Sequence, residues 1–151
     1  MTPERERLFG ETANLIQARL NKFGQGRDRW GLVHCDIRLA NLLIDGKVTK
    51  VIDFDDCGFS WFMYDCATAL SFIEAREDVP ALIQTWCRGY RSVMHLSEEA
   101  EHEIPTFVML RRLLLVAWIG SHSETDLAQS MGLPYTAETV GLCETYLSDY
   151  Q

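Results

Sequence analysis

Apolar residues recur along this chain in two periods, and the change of period marks how it is organised. Between residues 3 and 23, Leu8, Thr12, Leu15, Ile16, Leu20 and Phe23 fall three or four apart, the spacing of one helix face. Thr2 is placed to cap that helix, Pro3 suits its first turn and Gly24 is placed to stop it. A polar, Gly-containing loop over 25–30 follows. From 31 to 65 the pattern shortens: Leu32-Val33 leads into His34, Leu42-Leu43-Ile44 follows Asn41, and Val51-Ile52 precedes Asp53. Asp45-Gly46 is a tight-turn signal, so the flanking runs predict a hairpin whose second strand spans 48–54. The aromatic-rich run 55–62 reads as a loop.

The helical period then returns. Asp65 is placed to cap a helix reaching about Ala75, and Asp78 to cap a second with the stripe Val79, Leu82, Ile83, Trp86, Tyr90 and Val93. Ser97 opens an acidic helix start, and a long apolar helix is expected from Ile104 to about Ser121. Arg111-Arg112 interrupts it. A buried Arg needs a partner, for which a carboxylate from 53–65 is one candidate and a solvent-facing position the alternative. After a polar break at 122–126, Leu133-Pro134 closes a segment and Thr136 starts a last helix.

The hairpin has a chemical consequence. It brings Asn41 and Asp53, twelve positions apart, to one open end, with Asp36 on the loop just before it. A hard cation such as magnesium takes oxygen ligands, and only one or two carboxylates from the protein. An Asn amide oxygen and an Asp carboxylate suit it, and an Asp five positions before the Asn suits a base that orients an attacking hydroxyl. These are the parts of a phosphoryl-transfer site. Each residue alone also fits a turn-forming role; their joint order within 31–65 is far more specific.

His34-Cys35-Asp36, Asn41 five positions after Asp36, and Ile52-Asp53-Phe54 together resemble the catalytic half of the aminoglycoside phosphotransferase family. That family includes choline kinase-like and homoserine kinase-like enzymes, with an H-G-D-x-x-x-x-N loop and a following strand ending in I-D-[FW]. The resemblance implies an α+β, mostly helical fold: the C-terminal lobe of a protein-kinase-like structure with a small hairpin carrying the catalytic and metal-binding loops. It implies Asp36 as the catalytic base with His34 bracing its loop, Asn41 and Asp53 as Mg2+ ligands, and Asp65 as architectural support. Asp55 is a further metal candidate, weighed equally against holding a loop amide. ATP is the implied co-substrate, and a hydroxyl of a small molecule the acceptor. Cys35 replaces the usual Gly, and Arg38-Leu39-Ala40 the commoner His-Pro-Gly. Both changes alter the loop that faces the acceptor, so they leave open whether it is an aminoglycoside, homoserine, a choline-like amine or a protein serine.

Composition narrows the picture modestly. The chain has 151 residues, 47% hydrophobic and 24% charged, enough for a single domain over 1–151 with its own core. A net charge of −8 argues against nucleic acid as a partner, since phosphate backbones call for a basic face, and is compatible with a cationic acceptor. The five cysteines show no metal-ligand spacing and read as reduced thiols of a cytoplasmic protein. No signal peptide is visible, and the apolar run 113–120 is too short to span a bilayer, so no membrane partner is expected.

A kinase of this kind also needs a lobe with a strand-borne Lys and a loop over the nucleotide phosphates. Only about thirty residues precede His34, and they read as one helix bearing Lys22, without a G-x-G-x-x-G. The expectation is therefore a truncated, C-terminal lobe with surface left uncovered, through which a homodimer would form. The leading function is an ATP-dependent phosphotransferase; the alternative is an inactive kinase-like lobe acting as a binding or interaction module.

Overall fold

Alternating apolar runs form their hairpin where the sequence places it, and the helices stop and start mostly at their caps. The protein is described as a computed structural model covering residues 2–151. Its chain divides into two compact units, Gln25–Val108 and a second made of residues 2–24 with 109–151.

In the first unit, β1 (Trp30–Val33) is followed by a single 3-10 turn (Leu39–Asn41), β2 (Leu42–Asp45) and β3 (Val48–Val51). Strands β2 and β3 pair antiparallel with Leu42 opposite Val51 and Asp45 opposite Val48. The link is Gly46-Lys47, with Gly46 at φ 61°, a left-handed backbone that glycine adopts without a Cβ clash. The second strand ends at Val51, so Ile52, Asp53 and Phe54 lie beyond the ladder. A further strand, β4 (Gly58–Trp61), pairs antiparallel with β1, Trp30 opposite Trp61 and Val33 opposite Gly58. This corrects the loop expected over 55–62. Trp61 meets Trp30 edge-on at 4.7 Å and Phe107 at 5.8 Å, so it anchors the core of this unit.

Helix α2 (Phe62–Ala69) begins directly after β4 with Trp61 at its cap position. It starts three residues before Asp65 and ends well short of Ala75. The cap expected of Asp65 is thus corrected: the residue lies within the first turn, and its carboxylate is used elsewhere. Phe62 lies over Gly31, where any Cβ would come within 2.7 Å of the ring, so β1 approaches α2 only because residue 31 has no side chain. Helix α3 (Val79–Arg91) follows turns in which Phe72 adopts φ 71°. Asp78 stands at its cap position without a capping bond, because Arg76 Nε donates to its Oδ1 at 2.9 Å. Val79 and Cys87 are buried on α3, whereas Val93 is 84% exposed and lies beyond its end. Helix α4 (Glu98–His102) is capped by Ser97, whose Oγ accepts from Ala100 N at 3.1 Å.

Helix α5 (Ile104–Ser121) carries the chain from this unit into the other. Within the helical stretch Glu98–Ser121, an 18-residue window has mean hydropathy 1.4 and passes the length and composition test for crossing a membrane that the run 113–120 alone does not. Half of that window is buried inside the protein, as a core helix also is.

In the second unit, α1 (Pro3–Phe23) is capped by Thr2, whose Oγ1 accepts from Arg5 N, and closed by Gly24 at φ 73°. Its buried face holds Phe9, Thr12, Ile16, Leu20 and Phe23 and packs on α6 (Asp126–Tyr150). Helix α6 starts ten residues before Thr136, behind the cap Thr125, and breaks at Gly132 two residues before Pro134. Arg112 is fully buried here. Its Nε donates to Thr139 Oγ1 at 2.7 Å, its Nη2 to Tyr135 O at 2.8 Å and Glu138 Oε2 at 2.9 Å, and its guanidinium stacks 3.5 Å from the Tyr135 ring. The partner sought in 53–65 is therefore on α6.

Candidate active site

The loop after β1 is held by backbone amides that would otherwise be orphaned. Asp65, on the first turn of α2, accepts from His34 N at 2.9 Å through Oδ2 and from Cys35 N at 2.8 Å through Oδ1. One turn on, Thr68 Oγ1 accepts from Ile37 N at 3.1 Å and donates to Asp65 O at the same distance. Two side chains of α2 thus hold three amides of the loop containing Asp36. Sequence reading missed Thr68; its only signal was its place one turn after Asp65.

Cys35 adopts φ 65°. This is the left-handed region, which costs an L-residue about 1–2 kcal/mol. Glycine at this position would meet the same geometry without that cost. Asp53 also adopts a positive φ, 66°. Asp tolerates this conformation better than most residues, and such strain is commonly held at functional sites.

His34 is buried and its tautomer is set by its neighbours. Nε2 donates to Ile52 O at 3.0 Å, while Nδ1 accepts from Asp36 N at 3.3 Å. Its ring lies 4.7 Å from that of Phe54. His34 therefore links the loop before Asp36 to both residues flanking Asp53. Ile52 N closes the hairpin by donating to Asn41 O at 3.1 Å.

Asp36 and Asn41 are both buried and touch directly. Asn41 Nδ2 donates to Asp36 O at 2.9 Å and to Asp36 Oδ2 at 3.1 Å. The same Oδ2 accepts from Arg38 Nε at 3.1 Å, and the Arg38 side chain stays one-third exposed. Sequence reading noted Arg38 only as a departure from a family pattern; the two-residue offset from Asp36 was its only cue. Asp53, Asp55 and Asp56 are exposed. Ile52, the residue before Asp53, bonds to both His34 and Asn41. Asp55 sits on the turn closed by Cys57 N donating to Phe54 O at 3.0 Å, and no contact with the set is described for it.

The donor set fits a hard cation. With Nδ2 committed to Asp36, Asn41 presents its carbonyl oxygen, an acceptor with no proton, and Asp53 offers a carboxylate. Among the described residues no cluster of three or more His, Cys, Asp or Glu could hold a metal. A cation here would take few protein oxygens and complete its shell from phosphate and water, the habit of magnesium.

Two cavities are lined by other residues. One of about 500 Å³ is lined by Arg5, Leu8 and Glu11 of α1 with Val140 and Glu144 of α6. Another of about 160 Å³ lies between Arg29, Phe62, Tyr90 and Leu96.

Known proteins resemble this chain in sequence and fold. Residues 3–102 match the phosphotransferase enzyme family. An amicoumacin kinase of Bacillus subtilis (strain 168) is 28% identical over an alignment of 123 residues that covers 75% of this chain and 36% of that protein. A microcompartment-associated aminopropanol kinase superposes with a TM-score of 0.91 at 42% identity, covering 98% of this chain and 47% of its own. An amicoumacin kinase solved with AMP-PNP, Ca2+ and Ami superposes with a TM-score of 0.69 at 22% identity, over 95% of this chain and 45% of that one. The chain spans less than half the length of each of these relatives, and its fold is the mostly helical α+β lobe of a kinase of this kind. With two thirds of its length matched and the fold of these kinases, this chain belongs to the phosphotransferase enzyme family.

Proposed function

We propose that this chain is the catalytic lobe of an ATP-dependent kinase that phosphorylates a hydroxyl of a small molecule. The observation that carries the reading is the direct bond between Asn41 and buried Asp36, in a loop fixed by Asp65. Asp36 orients the acceptor hydroxyl and accepts its proton as the bond to phosphorus forms. His34 keeps that loop and the residues around Asp53 at one distance. Asn41 and Asp53 hold Mg2+, which when bound neutralises charge on the nucleotide phosphates. Arg38, fixed to Asp36 by Nε, has its outer guanidinium edge to offer a phosphoryl oxygen.

For the acceptor we propose a small amino alcohol. Two features support this: a net charge of −8, which favours a cationic substrate, and 42% identity to an aminopropanol kinase. Five free cysteines accord with a reducing, cytoplasmic setting. Leu39, Ile44, Phe54 and Phe59 are exposed apolar side chains through which two copies would associate. Sedimentation at rising concentration tests that association; a strict monomer removes it.

The test of function has two stages. Calorimetry with AMP-PNP and Mg2+ is expected to show binding that Asp53→Asn abolishes; no heat with the native chain would favour an interaction module instead. Phosphoryl transfer to amino alcohols is expected to vanish in Asp36→Asn while nucleotide binding persists. Retained transfer refutes the role of Asp36.

A further inference from the structure

The five cysteines are not equivalent. Cys66, Cys87 and Cys143 are at most 1% exposed, and burial pushes all three thiols up from their ordinary range. Cys57 is exposed and Cys35 half-buried. These two are the ones that reagents in solution reach, and both lie just past one end of the same two-stranded ladder. Strands β1 and β4 run antiparallel with Val33 opposite Gly58. Cys57 immediately precedes Gly58, and Cys35 lies two residues past Val33, so both fall at the same open end of the ladder. The Gly58 amide, which shares a peptide bond with Cys57, donates to the Cys35 sulfur, and the two thiols lie close enough to feel each other's charge.

We propose that Cys35 and Cys57 form a dithiol site that closes to an intramolecular disulfide on exposure to a two-electron oxidant such as a hydroperoxide. Exposed Cys57 is the thiol attacked first. Its sulfur displaces water from hydrogen peroxide and becomes a sulfenic acid. The Cys35 sulfur then attacks that sulfur and expels a second water. In all, two thiols and one peroxide give one disulfide and two waters. Burial and the nearby Asp65 carboxylate raise the Cys35 thiol above the ordinary range, so it is the less readily oxidised of the two and reacts second, once Cys57 is a sulfenic acid. The cross-link ties the residue before Asp36 to the loop that follows Asp53. On the kinase reading it stops transfer; the chemistry of the thiols does not depend on that reading.

Native protein is titrated with a chromogenic disulfide before and after hydrogen peroxide, then mapped by mass spectrometry without reduction. Two thiols are expected to react before oxidation and none after. The intact mass should fall by two hydrogens, with a peptide pair joining Cys35 to Cys57 that dithiothreitol releases. Cys57→Ser should abolish the cross-link and leave Cys35 titratable. A peroxide-treated protein with both cysteines over-oxidised separately, or joined between two chains on a non-reducing gel, overturns the proposal. If the linked peptide forms while transfer is unaffected, the dithiol site stands and its link to the proposed catalysis fails.

Discussion

The Asp65 carboxylate holds Cys35 in a left-handed backbone conformation by accepting its amide proton at 2.8 Å. The second oxygen of the same carboxylate takes the His34 amide. One helix residue therefore fixes the direction in which the chain enters Asp36, 29 positions upstream.

Removing Asp65 should consequently cost more than a surface carboxylate does. Hydrogen bonds from amides to a charged acceptor contribute about 1.5–3 kcal/mol each, net of exchange with water. Asp65→Ala is expected to lower unfolding free energy by about 3 kcal/mol in urea titration. An effect within about 0.5 kcal/mol, the range of an ordinary surface change, would show that the loop holds itself.

Cys35→Gly should move stability the other way. Relief of the left-handed backbone gains about 1–2 kcal/mol, and the greater freedom of glycine in the unfolded chain returns about 0.5–1 kcal/mol. A net gain near 0.5–1 kcal/mol is expected by chemical denaturation. Cys35→Ala, which keeps a Cβ, should lack that gain, and this separates backbone relief from loss of the thiol.

Arg112 and Glu138 form an unequal pair. Arg112 is wholly buried, while Glu138 is 54% exposed and water already screens it. The guanidinium keeps Tyr135 O, Thr139 Oγ1 and the Tyr135 ring when Glu138 is lost. Glu138→Gln is therefore expected to cost at most about 1 kcal/mol, and Arg112→Ala about 3–4 kcal/mol from the cavity and the abandoned acceptors. Equal losses in thermal denaturation would show that the ion pair outweighs packing and the neutral bonds.

The pair Arg91–Glu101 predicts a pH effect. The guanidinium donates to the Glu101 carboxylate and lowers its pKa from the ordinary 4.5. A carboxylate depressed in the folded state contributes stability above its unfolded pKa, and the contribution fades as pH falls through the folded one. Both side chains are over one-third exposed, so the amount is about 0.5 kcal/mol. Arg91→Gln should be the less stable protein near neutrality and converge with the native chain below pH 4.5. A gap that persists at low pH would assign the loss to packing.

Much of the fold was legible because its signals are local. Thr2, Pro3 and Gly24 bound α1 within the first 24 residues, and Asp45-Gly46 fixes a turn with two residues. Strand β4 was not legible: its partner β1 lies 28 positions upstream, and four residues with Phe59 outward show no alternation of their own. Asp65 looked like a cap because an Asp before an apolar helical run usually is one; only the returning loop reveals its actual partners. The partner of Arg112 lies 23 to 27 positions downstream, on a helix whose start a proline had seemed to postpone. In the candidate site, Asp36, Asn41 and Asp53 were marked by order and spacing. Thr68 and the Arg38 contact depend on geometry that spacing does not encode.

The segment from His34 to Asp65 is in effect a loop of thread drawn shut at its knot, where one carboxylate receives the returning chain. His34, Asp36 and Asn41 meet at the knot, and the bend at Gly46-Lys47 hangs at the far end of the hairpin. Lengthening or rewriting that bend can alter what the tip touches without loosening the knot, which leaves it free to diverge while the residues around Asp36 stay fixed.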